Sequence, residues 1–264
     1  MFKNKLLIII LILLLSLTFF NQSINATTRV EPSRIIINSK LDTRNTGIIN
    51  VINTGEKQIL LQAYLYDWNL KNNEGLKTYK PGTLDTSLEG LIKFNPKSFI
   101  LDPGQSQVVR FTITTPENLD RELRGVVFFE NQTDFVYEET GSRVVTQVGT
   151  IIYLIPEKAK YVFKMIEARF ATPNDEHPDS CMIVMKNEGD AHIRFNVNYK
   201  IINDSSKLIE EGKLDENVML PDQTKRVIIP FKNKLQPGNY KLILDYRLIN
   251  NDKKANFEVP FFVE

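Results

Sequence analysis

The side chains that could do chemistry unaided are few, and their spacing does not suit it. His177 and His192 are the only histidines, lie near turns, and have no companion at a metal-ligand spacing. Cys181 is the only cysteine, and its place in the run CMIVM reads as that of a small buried hydrophobe. No GxSxG, HExxH, phosphate-loop or GxGxxG phrase occurs, and no two carboxylates stand out as an acid and a base. The pattern argues against an enzyme and predicts no cofactor and no metal. What remains is the chemistry of the main chain. Between Arg143 and Glu157 the run RVVTQVGTIIYLIP holds no charge, and it alternates like a strand. Val144, Thr146, Val148, Thr150, Ile152 and Leu154 fall on one face, and Val145, Ile151, Tyr153 and Ile155 on the other. A strand of this kind, if exposed, is a template on which another chain can pair.

Around this strand the sequence reads as all-β. Strands are predicted over Arg29 to Asn38 (broken at Pro32, which suits an edge), Thr46 to Ile52, Gln58 to Trp68, Ser98 to Leu101, Gln107 to Thr114 and Gly125 to Glu130. Residues 69–90 and 131–142 are polar and predicted as loops. Trp68 and Tyr64 are expected in the first core, and Arg110 in solvent or in an ion pair. After Pro156 the pattern resumes, with strands predicted over Tyr161 to Phe170, Met182 to Lys186, Ile193 to Ile202, Lys207 to Leu214, Lys225 to Phe231, Gly238 to Ile249 and Ala255 to Val263. The halves share phrases: Asn53-Thr54-Gly55 is echoed by Asn187-Glu188-Gly189, and Leu101-Asp102-Pro103-Gly104-Gln105 by Leu220-Pro221-Asp222-Gln223. Short strands at this spacing predict two tandem immunoglobulin-like β-sandwiches, residues 27–156 and 157–264.

Composition narrows the partners. With 33 basic against 32 acidic residues in 264, there is no electrostatic case for nucleic acid or an acidic membrane surface. Lys3 and Lys5 precede an apolar run from Leu6 to Phe20 and a polar exit ending at Asn25-Ala26, the layout of a secretory signal over residues 1–26. The run is shorter than a spanning helix needs, so export without a lasting anchor is expected. An exported chain with a single cysteine must draw its stability from its cores.

With those residues laid out, the first half resembles the PapD-like periplasmic pilus-assembly chaperones. The likeness runs through Val30-Glu31-Pro32-Ser33-Arg34, Asn53-Thr54-Gly55-Glu56, the stretch Leu101 to Arg110, and Arg124-Gly125-Val126-Val127-Phe128-Phe129. It implies two sandwiches set in an L. The chain would bind pilus or surface-fibre subunits by lending them the last strand of its first domain, a β-augmentation. An outer-membrane usher would be a further partner, and the location periplasmic. By position, Arg34 is the residue implied to hold the subunit's terminal carboxylate, a task its fork of donors suits. Val144, Thr146, Val148 and Thr150 are implied as the donor strand, with Val144, Thr146 and Val148 pointing at the subunit. The lysine of the family's cleft has no counterpart, since Ile151 stands in its place. The alternative is a non-catalytic structural or adhesive envelope protein, in which the sandwiches present loops. A Gram-positive surface-complex component is a third reading, though such chains usually end in a spanning helix.

Overall fold

The computed structural model describes residues 28–71, 75–133, 135–137, 142–171, 179–249 and 254–264, so the signal-like segment and His177 lie outside the described residues. Among those residues every regular element is a strand, and no helix is long and apolar enough to cross a membrane. Alternating β-branched and aromatic residues set this outcome, because each strand needs one face for a core and one for water. Thus β1 (Thr28–Glu31) and β2 (Arg34–Ser39) are two pieces of one chain direction, split at Pro32. They are followed by β3 (Arg44–Asn53), β4 (Ile59–Lys71), β5 (Gly75–Tyr79), β6 (Ile92–Asn95), β7 (Ser98–Leu101), β8 (Ser106–Thr114) and β9 (Leu123–Asn131). A short pair, β10 (Phe135–Tyr137) and β11 (Ser142–Val144), precedes β12 (Gln147–Pro156).

These strands form two main layers. One sheet has the order β1-β3-β8-β6; the other runs β2-β12-β9-β4-β5, with β7 also on β4. Between them lie Ile49, Val51, Leu61, Val109, Ile113, Val127, Ile152 and Leu154, all fully buried. The second half holds β13 (Phe163–Ala171), β14 (Ser180–Asn187), β15 (Ile193–Asn203), β16 (Leu208–Met219), β17 (Thr224–Pro230), β18 (Gly238–Leu248) and β19 (Lys254–Val263). Its sheets are β13-β14-β17 and β16-β15-β18-β19, closed over a core that includes Ile183, Phe195, Val197, Leu242 and Tyr246. Among the described residues no ladder joins a strand of one half to a strand of the other.

The shared phrases turn out to be one hydrogen-bonded hook built twice. Asn53 is fully buried; its Oδ1 accepts from Gly55 N–H at 3.0 Å and its amide donates to Lys57 O at 2.8 Å and Leu101 O at 3.0 Å. Asn187, equally buried, accepts from Gly189 N–H at 2.9 Å and donates to Ala191 O at 2.9 Å and Met219 O at 3.1 Å. The partnering turns match as well. Gln105 Oε1 accepts from Asp102 N–H at 3.2 Å, and Gln223 Oε1 accepts from Leu220 N–H at 2.9 Å. One hook ties the end of β3 to the turn after β7, and the other ties the end of β14 to the turn after β16.

Three predicted segments come out differently. Residues 69–90 are not all loop: β4 runs on to Lys71 and pairs with β5, with Asp67 opposite Tyr79 and Asn69 opposite Lys77. The polar stretch 131–142 contains β10 and the start of β11. The long strand predicted from Arg143 to Pro156 is broken, β11 pairing with β10 before β12 begins at Gln147.

Candidate functional site

The site is built where β12 meets β2. From Gln147 to Leu154, β12 pairs antiparallel with β9, and from Ile151 to Pro156 it also pairs with β2 in parallel. The β2 seam closes with Ile151 N–H donating to Ser33 O at 3.0 Å and Thr150 Oγ1 donating to Pro32 O at 2.6 Å. Upstream of it, Gln147 to Gly149 are laddered on the β9 side alone, leaving one edge of main-chain donors and acceptors without a strand among the described residues. Gly149 lets this edge run flat. A Cβ there would meet the Phe128 ring at 2.7 Å and Val127 O at 2.9 Å.

Strand alternation divides β12 into two faces. Val148, Ile152 and Leu154 turn into the first core, whereas Ile151, Tyr153 and Ile155 turn outward. Thr150 is fully buried with its hydroxyl on Pro32, and Val148 is half-buried against its own core, because both sit on the inward face. Thr146 and Val145 are exposed just ahead of them. Val144 belongs to β11, opposite Phe135.

Arg34 heads β2 directly beside Ile151 and is exposed. Its charge reaches the phenol of Tyr153, two residues further along the same face of β12. Tyr153 is pushed above the ordinary tyrosine range, first by burial and next by the Glu122 carboxylate; Arg194, Arg124 and Arg34 pull the other way.

The other wall of the corner comes from the second half. His192 is fully buried and stacks on Tyr153, with ring centroids 3.9 Å apart. Glu122 Oε2 accepts from His192 N–H at 2.8 Å and lies 2.5 Å from its Nδ1, while Glu122 N–H donates to Asp190 O at 2.7 Å. Arg124 Nη1 approaches Glu122 Oε1 at 3.7 Å, and its guanidinium lies 5.5 Å over the Trp68 ring. Burial lowers the pKa of Arg124 and the Glu122 charge opposes that. Trp68, Val126, Tyr153 and Ile155 pack with Ala191 and Leu220 in a third apolar cluster between the halves. Trp68 therefore serves this joint and not the first core, and Tyr64 is 39% exposed. Arg110 is exposed, as expected.

Sequence reasoning singled out Arg34 and β12 but missed Glu122, Arg124, Arg194 and Tyr153 as parts of one corner. The one available signal was period: His192 and Arg194 are two apart at the start of β15, so both face away from the second core. Among the described residues no group of three His, Cys, Asp or Glu side chains is placed to hold a metal ion.

No protein-family model matches the sequence, and no curated protein matches it. The solved structures do. A class 5 fimbriae chaperone, CfaA, superposes with a TM-score of 0.53 at 14% identity, over 90% of this chain and 100% of that one. A chain from a chaperone–tip adhesin complex of CFA/I fimbriae biogenesis gives 0.51 at 12% identity, over 88% and 98%. The two-sandwich fold of this protein is that of the fimbrial chaperones.

Proposed function

We propose that the protein is an exported, periplasmic, non-catalytic chaperone for pilus or surface-fibre subunits, lending them a strand edge at β12 and receiving their terminal carboxylate at Arg34. The observation that carries the reading is the unladdered edge at Gln147 to Gly149, which ends where Arg34 stands beside Ile151. A subunit strand laid on that edge gains main-chain hydrogen bonds, and its end meets a cation. The fold shared with fimbrial chaperones, one of them solved with a tip adhesin, supports a subunit as the partner. The lent segment comprises Val144 to Gly149, with Thr146 pointing at the client and Thr150 serving as the inward anchor that ends it. Ile151, in the place of a second cation, leaves carboxylate capture to Arg34 and to whatever share of field Arg194 adds from across the corner.

The test is co-purification of the mature chain with a candidate fibre subunit. Arg34→Ala removes a charge-assisted contact of about 1.5–3 kcal/mol, so capture should weaken roughly ten- to hundredfold. Thr146→Asp places a charge on the lent edge and should abolish what remains. Undiminished capture by the double variant, with the fold verified by circular dichroism, refutes the reading.

A further inference from the structure

The same six-stranded sheet carries a second interruption at its other side, and we infer that it is a docking groove for a short, extended, acidic peptide segment. β4 is laddered to β9 from Leu61 to Tyr66. On its opposite edge it is laddered to β7 only as far as Gln62 and to β5 only from Asp67. The interruption arises because the chain leaves the first sheet after β6 and joins β4 as β7, so among the described residues no strand runs beside the middle of β4. Ala63 N–H turns to this open side, donating to Lys97 O at 2.7 Å. By the period of two, the N–H and C=O of Leu65 turn the same way, toward no ladder partner.

Over this rung lies a depression of about 490 Å³ lined by Tyr64, Leu65, Tyr66, Phe94 and three lysines, Lys80, Lys93 and Lys97, with Glu89 the single acidic residue in its wall. All three lysines are exposed, and Lys97 Nζ sits 5.4 Å over the Phe94 ring. The open stretch from Ala63 to Asp67 accommodates roughly three or four extended residues at about 3.4 Å each. Main-chain pairing at Leu65 supplies the register, the tyrosine and phenylalanine rings receive apolar side chains, and three cations against one carboxylate select acidic ones. Neither nucleic acid nor an anionic lipid surface would use the unpaired Leu65 amide. The groove lies two strands from β12, so it is independent of the subunit-lending edge.

The test uses the whole mature chain and a blocked heptapeptide alternating glutamate and valine, with the lysine–valine heptapeptide and inorganic polyphosphate as comparisons. Amide hydrogen exchange followed by NMR reads Leu65 directly. At saturation the acidic peptide should slow Leu65 exchange at least tenfold, and the triple variant Lys80→Gln, Lys93→Gln, Lys97→Gln should weaken its binding at least tenfold with the fold unchanged. Salt at about 0.5 M should weaken it similarly, because exposed charges are then screened. The inference is overturned if Leu65 exchange is unchanged by the acidic peptide, is slowed equally by the basic one, or stays slowed in the triple variant. Polyphosphate binding at these lysines in place of the acidic peptide likewise overturns it.

Discussion

Cys181 is enclosed on all sides by the second core, and burial pushes its thiol from an ordinary 9 up to about 11. Tyr199 moves the same way, to about 12, through burial and its hydrogen bond to Glu210. Both groups have a folded pKa above the unfolded one. Their stabilising contribution is therefore complete below the unfolded values and is lost as pH rises toward the folded values. Urea-unfolding stability should hold steady to about pH 8.5 and decline between about pH 9 and 12, with Cys181→Ala removing the lower part of that decline. The native thiol should also be silent to a disulfide reagent at neutral pH until the chain unfolds. Cys181 was legible from sequence because CMIVM alternates into a core. Trp68 was not, because its apolar neighbours say only that it is buried, not which of two halves buries it. Thr150 looked like one rung of an open stripe, since strand period assigns a residue to a face but cannot say whether that face is covered.

The duplicated asparagine hooks belong to the scale of the element. Each asparagine binds three main-chain groups, all of them buried at Asn187 and one of them, Leu101 O, at Asn53, so Asn187→Ala should cost about 2–4 kcal/mol and Asn53→Ala about 1–3 kcal/mol, read as a lower urea midpoint at constant slope. Asn53→Asp, which keeps the acceptor for Gly55 but loses both donated bonds, should restore only part of the loss. These turns were legible as repeated phrases, because a buried asparagine with a glycine two residues on is a local device. Most strands were legible for a similar reason, their alternation being written in consecutive residues. β5, β10 and β11 escaped notice because their residues are polar or short-run, and they form strands only through a partner already in place. The break before β12 was hidden by uninterrupted β-branched residues, where composition offers no mark of a change of partner.

For the whole molecule the decisive feature is the joint of Glu122, Arg124, His192 and Tyr153. Glu122→Ala leaves His192 and the Arg124 charge buried without their carboxylate and should cost about 3–5 kcal/mol. It should also broaden the distribution of angles between the halves, seen as a larger radius of gyration in small-angle scattering. Glu122 and His192 lie 70 positions apart, so no pattern in the sequence could have paired them. Only the tandem architecture could be foreseen. The segment that connects the halves is itself fastened along its length. Glu157 N–H donates to Ser39 O at 3.0 Å, Lys160 exchanges bonds with Asp190, and Glu188 N–H reaches Val162 O at 2.8 Å. Gly189 comes so close that a Cβ there would meet Lys160 O at 2.4 Å. A protease must peel several residues out of a chain before it can cut. Trypsin should therefore pass over Lys158 and Lys160 in the native protein, although both are lysines in what looks like a hinge, and begin to cut there only once the Gly189 turn has been pried away.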